Sequence, residues 1–146
     1  MAAAERRTFV GVMSEVVATA QWLDELAARN ELPGDAVFAL QVCAEEILTN
    51  IVRHGGNPGP NIEVALNVSP ERLELTIEDD GAPFDVTQAE PRRVSGDIAT
   101  IEPGGLGVQL IHQFASALKY TRGPNGNRLQ VTIELDPPAA TAAARV

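Results

Sequence analysis

The sequence predicts an α+β fold, a two-layer sandwich in which helices cover one face of a mixed, mostly antiparallel sheet. Three observations favour this class. Two long stretches near the N-terminus, 12–30 and 35–54, carry apolar residues at helical spacing. Two pairs of alternating stretches, at 62–78 and 118–135, are typical of hairpins and therefore of antiparallel strands. A third helical stretch lies between the two pairs.

The N-terminal half is predicted to begin with a short edge strand over residues 6–11. The first helix follows, and Pro33 and Gly34 interrupt it. Asp35 is a candidate N-cap for the second helix, which Gly55 and Gly56 end. Each helix has one apolar face. In the second helix this face comprises Val37, Leu40, Cys43, Ala44, Ile47, Leu48 and Ile51.

The first hairpin pairs residues 62–68 with 73–78, and residues 69–72 form its tight connection. The second pairs 118–122 with 129–135. In both, apolar side chains alternate with mostly polar ones, so one face of each strand is predicted to be buried.

Between the hairpins, residues 83–103 show little pattern. Unstructured stretches of that length inside a compact domain are uncommon and often form functional lids. The third helix is predicted to begin near Gly107 and to end near residue 117. Residues 137–146 are rich in Ala and Pro and are predicted to be disordered, which leaves one domain over residues 1–136.

Composition excludes several classes of function. With 146 residues and 45% hydrophobic residues, the chain suits one globular domain. Its net charge of −9 disfavours nucleic acid and anionic membranes as partners. Cys43 is the only cysteine, lies among apolar residues and is predicted to be a buried hydrophobe. Without a signal peptide or an apolar span of about 18 residues, we expect a cytoplasmic protein.

The first candidate motif is Glu46 with Asn50. Residues four apart lie on one helix face, about 6 Å apart along the axis. A carboxylate that accepts a proton, beside an amide oxygen that can bind a hard cation, suits Mg-dependent phosphoryl transfer. Taken alone the spacing is weak, because Glu and Asn on helices are usually solvated. Glu45 lacks this partner at four residues.

The second motif ends the predicted strand 73–78. Asp79 and Gly81 form an Asp-x-Gly pattern, in which the carboxylate could accept from an amino group on a planar ring and the glycine would admit the ring. Asp80 lacks that spacing. The alternative is an ordinary polar turn, which is favoured when this motif is taken by itself.

The third motif is a glycine cluster that leads into the third helix. Glycines before a helix expose backbone N–H groups, and together with the helix N-terminus they suit phosphate. The alternative is a flexible hinge. The cluster does not match the dinucleotide fingerprint, which follows a strand in a parallel βαβ unit. Its members are Gly104, Gly105, Leu106, Gly107 and Val108.

In this order, the three motifs resemble the ATP-binding domains of the Bergerat (GHKL) fold, shared by DNA gyrase and histidine kinases. The chain is most similar to the RsbW/SpoIIAB-type anti-sigma factor serine kinases, whose helix reads Glu-x-x-Thr-Asn-x-x-x-His-Gly. Residues 46–55 read Glu-Ile-Leu-Thr-Asn-Ile-Val-Arg-His-Gly. Residues 79–85 and 126–129 also fit, so the resemblance covers about 6–135.

The resemblance implies a role for each motif. Glu46 would be the general base toward a serine hydroxyl, and Asn50 would ligate Mg²⁺. Asp79 would bind the adenine amino group of ATP or ADP, with Gly81 giving close approach. The phosphates would lie against the glycine cluster, that is, Gly104, Gly105, Leu106, Gly107 and Val108.

Other polar residues receive no chemical role. We expect His54 to be structural, Arg92 and Arg93 to be solvated, and His112 to have no evident partner. One departure concerns the last strand, where residues 126–128 replace a threonine that many relatives carry there. The departure weakens the case for a phosphate contact at that point.

The resemblance implies a serine kinase that phosphorylates a STAS-domain antagonist and alternates between that antagonist and a sigma factor. It also implies a homodimer. One alternative is an ATP-dependent anti-sigma module without significant kinase activity. Another is a stand-alone ATPase or a regulator of a different signalling protein.

Overall fold

The computed structural model describes residues 4–56, 59–87 and 105–136. These residues form three helices and a five-stranded sheet. In chain order the elements are β1 (Glu5–Val10), α1 (Met13–Arg29), α2 (Gly34–His54), β2 (Asn61–Val68), β3 (Arg72–Asp79), α3 (Gly105–Phe114), β4 (Ala117–Gly123) and β5 (Gly126–Glu134).

The strands lie in the order β1-β2-β3-β5-β4, and each neighbouring pair is antiparallel. The α+β prediction is therefore confirmed, and β1 is an edge strand as expected. The sheet is not mixed as predicted, because no pair of strands in the described residues is parallel. Hairpins join β2 to β3 and β4 to β5. Helix α3 lies in the connection from β3 to β4, and β5 then returns to pair between these two strands.

One core lies between the helices and one sheet face. Alternating strand residues, such as Leu73, Leu75 and Ile77, are almost fully buried. They meet the apolar face of α2, where Leu40, Cys43, Ala44 and Leu48 are equally buried. Since hydrophobic burial scales with apolar area, this layer supplies the main stabilisation and fixes α2 against the sheet.

Asp35 does not cap α2 as predicted. The helix begins at Gly34, two residues earlier than a cap at Asp35 would place it, and no side chain caps it. The Asp35 carboxylate instead accepts from the Ala36 N–H at 3.0 Å. Its charge lies in the first turn, where the partial positive charge of the helix N-terminus favours it.

Helix α3 begins and ends earlier than predicted. It already includes Gly105, and its last residue is Phe114. The backbone N–H of Ser116 donates to the Thr132 carbonyl oxygen at 2.7 Å, so the chain has already joined the sheet at this residue. Residues 88–104, which include most of the predicted lid with Arg92 and Arg93, lie outside the described residues, as does the 137–146 tail.

Among the described residues, no helix has both the length and the apolar character needed to cross a membrane.

Candidate functional site

A pocket opens between α2 and the sheet. Its walls are mostly apolar and include Ile51 from α2, Ile77 from β3 and Leu129 from β5. Asn50 and Asp79 are two polar residues that line it. The structure thus brings the first two sequence motifs to one cavity, although 29 positions separate them in the chain.

Asp79 is held in place by its own loop and by the neighbouring strand. Its Oδ1 accepts from the Gly81 N–H at 2.9 Å and from Asn127 Nδ2 at 3.0 Å. Neither of these bonds uses Oδ2. Because an ionised carboxylate has two oxygens that can accept, the second remains available to a donor in the pocket.

The turn between β4 and β5 passes directly beside Asp79. Gly126 has a φ of +143°, and a Cβ there would lie 1.9 Å from the Asp79 carbonyl oxygen. Only glycine fits this position without a shift of the backbone. Gly126 therefore allows the next residue, Asn127, to stand opposite Asp79 in the β3–β5 pairing.

Asp80 serves the sheet rather than the pocket. Its carboxylate accepts from the backbone N–H of Asn61 at 2.7 Å and from Asn61 Nδ2 at 2.9 Å. These hydrogen bonds lower the pKa of Asp80. Asp80 is thus bound to β2, and Asp79 stays the predicted adenine-binding residue.

Asn50 is the other polar side chain in the pocket wall. It is only 4% exposed, and its Nδ2 is buried without a hydrogen-bond partner in the described parts of the chain. Buried polar groups are normally paired, because an unpaired one costs about 1–3 kcal/mol. A missing partner of this kind fits a bound ligand at this position.

Glu46 lies one helical turn before Asn50 and contacts the first turn of α3. A Cβ added to Gly107 would lie 2.2 Å from Glu46 Oε2. Glycine is thus what permits α3 to approach the carboxylate. The first and third motifs therefore meet at the α2–α3 contact, although Glu46 itself is not part of the pocket wall.

The pKa of Glu46 is raised. Burial is the main cause, the charge of Glu45 raises it further, and Arg53 opposes both. A carboxylate with a raised pKa holds a proton more readily at neutral pH, which suits general-base chemistry. Raised pKa values also occur in carboxylates with a structural role, so the interpretation of Glu46 depends on its position beside Asn50 and α3.

The rest of the third motif is only partly described. Gly104 lies outside the described residues, and Gly105 and Leu106 form the start of α3. The Val108 side chain packs in the hydrophobic core, so only its backbone could face a ligand. With Gly105 and Gly107 inside the helix, backbone N–H groups of its first turn lack helical partners.

Both histidines have neighbours that the sequence did not indicate. The ring of His54, at the end of α2, stacks on Phe84 with centroids 5.4 Å apart, and both residues line the pocket. His112 was expected to have no partner, which is wrong. Its Nε2 lies 3.1 Å from the Val86 carbonyl oxygen because α3 packs beside the segment that follows β3.

Cys43 agrees with its prediction. It is fully buried, and burial raises its thiol pKa to about 12. The thiolate is therefore absent at neutral pH, and Cys43 acts as a core side chain.

Sequence reasoning missed Asn127 as a part of the site. Its Nδ2 donates to Asp79 and to the Ala82 carbonyl oxygen at 2.8 Å, and its Oδ1 accepts from the Tyr120 hydroxyl. The available signal was strand pairing, since placing β5 beside β3 puts residues 127 and 79 opposite each other. The motif pattern alone contained no such pairing.

The described residues contain no cluster of three or more His, Cys, Asp or Glu side chains that could hold a metal alone. A Mg²⁺ ion usually keeps waters and binds through one or two protein oxygens plus substrate phosphates. The amide oxygen of Asn50 is of the type that Mg²⁺ accepts as a ligand. Its buried and unpaired Nδ2 is a donor, and it fits an acceptor such as a phosphate oxygen of a nucleotide that arrives with the metal.

Comparison with known proteins gives consistent results. The family model described as "Histidine kinase-like ATPase domain" matches residues 13–133. The serine/threonine-protein kinase BtrW of Bordetella bronchiseptica is 35% identical over 113 residues, which cover 76% of this chain and 80% of that protein. The serine-protein kinase RsbW of Bacillus subtilis is 30% identical over 103 residues, covering 66% of this chain and 64% of that one.

Solved structures show the same fold. The mycobacterial sensor histidine kinase MprB aligns with a TM-score of 0.51 at 19% identity and covers 90% of this chain and 100% of that chain. The blue-light activated histidine kinase of Erythrobacter litoralis EL346 also gives a TM-score of 0.51, at 23% identity over 71% of this chain and 32% of that chain. At these identities the likeness concerns the fold alone.

Proposed function

The chain belongs to the histidine kinase-like ATPase domain family, and on that premise we propose that it is a Mg-ATP-dependent serine-protein kinase and anti-sigma factor. Its substrate would be a serine of a STAS-domain antagonist. Phosphorylation of that antagonist would release it and leave the protein able to bind a sigma factor. The relatives named as serine kinases support the reaction class.

The observation that carries the proposal is the joining of three motifs through α2. Asn50 shares the pocket with Asp79, and Glu46, one turn away, meets Gly107 of α3. A nucleotide with adenine at Asp79 and phosphates toward the start of α3 would pass Asn50. Its terminal phosphate would then lie on the side of Glu46.

The nucleotide end of the site rests on the sheet. Asp79 would accept from the adenine amino group, and Gly81 and the apolar walls would admit the ring. The Asn50 side-chain oxygen would hold Mg²⁺, which neutralises phosphate charge when bound. Gly105, Leu106, Gly107 and Val108 would offer backbone N–H groups to the phosphates, with Gly104 preceding them.

The proton in the reaction would be taken by Glu46. As the serine oxygen bonds to the γ-phosphorus and the bond to ADP breaks, the hydroxyl proton would pass to the Glu46 carboxylate. The raised pKa of Glu46 helps in this step, because a base with greater proton affinity accepts more readily.

The partners are proposed from the same family branch. The chain is acidic, which is compatible with a basic surface on a sigma factor. We propose that it acts in the cytoplasm as a homodimer, without direct contact to nucleic acid or membrane.

The test is phosphoryl transfer from labelled Mg-ATP to the purified antagonist, followed by mass spectrometry of the modified serine. General-base catalysis contributes about 10²–10⁴-fold, so Glu46→Gln should lower the rate by that range. The matched control is Glu71→Gln, an identical change on an exposed residue of the β2–β3 connection, which should keep most of the activity.

The outcomes separate the candidate functions. If Glu46→Gln transfers phosphate at the wild-type rate, Glu46 is not the general base. If wild-type protein transfers no phosphate while ATP still alters its affinity for the sigma factor, it is a nucleotide-dependent binding module. If it captures neither partner, the anti-sigma proposal fails.

A further inference from the structure

Asn127 has the hydrogen-bond pattern of a fixed structural amide. It is 7% exposed. Its Nδ2 donates to Asp79 Oδ1 at 3.0 Å and to the Ala82 carbonyl oxygen at 2.8 Å. Its Oδ1 accepts from the Phe84 N–H at 3.4 Å and from the Tyr120 hydroxyl. All four hydrogen-bonding positions of the amide are in use.

These contacts allow only one orientation of the amide. If the group were turned over, its oxygen would face the Asp79 carboxylate and the Ala82 carbonyl, both of which only accept. Its nitrogen would face the Phe84 N–H, which only donates. The Tyr120 hydroxyl, from β4, adds a donor on the oxygen side. The orientation therefore follows from its partners rather than from an arbitrary choice between O and N.

The fixed amide determines what Asp79 can offer a ligand. Its Oδ1 is already occupied by Asn127 and by the Gly81 N–H at 2.9 Å. The carboxylate is thereby held in one rotamer, and Oδ2, which receives no hydrogen bond from the described residues, can still accept one. An acceptor at this point attracts an exocyclic amino group and repels a carbonyl oxygen at the same ring position.

We propose that Asn127, oriented by Tyr120, is a positioning residue that gives the nucleotide site its preference for a 6-amino purine over a 6-oxo purine. This inference rests on the proposed ATP-binding function. Asn127 acts through Asp79, because its own amide has no hydrogen-bonding position left for the base.

The experiment is titration calorimetry with Mg-ATP and Mg-ITP, which differ at the 6-position of the purine. Wild-type protein should bind ATP at least about 100-fold more tightly than ITP. A site whose acceptor pairs with the 6-amino group strongly rejects a 6-oxo group, which is itself an acceptor. Asn127→Leu should reduce that ratio to below about tenfold, mainly by weakening ATP. Tyr120→Phe should reduce it by about threefold.

The ratio distinguishes positioning from a general structural role. A loss of packing or of loop order would weaken both nucleotides alike and leave the ratio unchanged. Gln130→Leu is the matched control, since it is an amide-to-leucine change on the opposite face of β5. It should leave both affinities and their ratio close to the wild-type values.

Asn127→Asp adds a readout that only positioning would move. Two adjacent carboxylates at 79 and 127 repel each other, so the pair takes up one shared proton more readily as pH falls. The titratable side chains bonded to position 127 are Asp79 from β3 and Tyr120 from β4. Arg122 of β4 is paired with position 127 across the strands, and His54 of α2 lines the same pocket. The ATP-to-ITP ratio should be low at pH 8.5 and recover toward pH 6, where a shared proton restores the donor.

Equal weakening of ATP and ITP in the Asn127 variants, or a ratio in Asn127→Asp that does not change with pH, would overturn the inference. If Asn127→Leu does not fold, Tyr120→Phe and Asn127→Asp still decide. Wild-type protein that binds neither nucleotide would instead refute the proposed function.

Discussion

Two buried asparagines line the same pocket and differ in one respect. Asn127, 7% exposed, has a partner for every polar atom of its amide. Asn50, 4% exposed, has a buried Nδ2 without a partner among the described residues. Satisfied polar networks rigidify a site, whereas an unsatisfied group costs free energy until something binds it.

The neighbouring carboxylates show the same difference. Asp79, beside Asn127, receives two hydrogen bonds that hold its carboxylate in place. Glu46, beside Asn50, has a pKa raised chiefly by burial. The adenine end is therefore complete before nucleotide binds, while the phosphate end is arranged for groups that the nucleotide supplies. Stability without nucleotide should therefore respond oppositely to changes at the two ends.

The largest expected effect on stability concerns the turn that supports the adenine end. Gly126→Ala places a side chain at a φ of +143° and against the Asp79 carbonyl oxygen. Backbone strain and overpacking together should cost about 3–4 kcal/mol of unfolding free energy. Urea denaturation measures it. Gly123→Ala, in the same hairpin, is the control because its Cβ meets nothing within 4 Å.

The next effect compares the two asparagines directly. Asn127→Leu should lower the unfolding free energy by about 2–3 kcal/mol, because it leaves buried partners unpaired. Asn50→Leu should raise it by about 1 kcal/mol, because it removes an unpaired buried group. Both are measured by urea denaturation without nucleotide. Equal destabilisation by the two changes would contradict the proposed difference.

The smallest effect concerns the pH dependence of stability. Glu46 has a raised pKa in the folded state, so its contribution to stability is complete below its unfolded pKa and is lost as pH rises through the folded value. Glu46→Gln should therefore melt at a higher temperature than wild type at pH 7. The two should coincide below about pH 4. Calorimetric Tm values across this range check the sign.

Much of the fold could be predicted from local patterns. The helical spacing of α1 and α2 and the alternation in the four hairpin strands depend on neighbouring residues, and all were predicted within a few residues. The start of α2 and both ends of α3 were predicted less well. Just after α3, the Ser116 N–H donates to the Thr132 carbonyl oxygen and joins the chain to the sheet, and no periodicity in the sequence contains that contact.

The sequence by itself determined the Glu46–Asn50 spacing and the Asp79–Gly81 turn, because both depend on residues within one helical turn or one loop. Tertiary structure decided the contacts between distant segments. Strand register brought Asn127 to Asp79, and the packing of α3 placed Gly107 on Glu46 and His112 beside Val86. Such contacts depend on how the layers pack, since one residue of strand shift would turn every side chain to the other face.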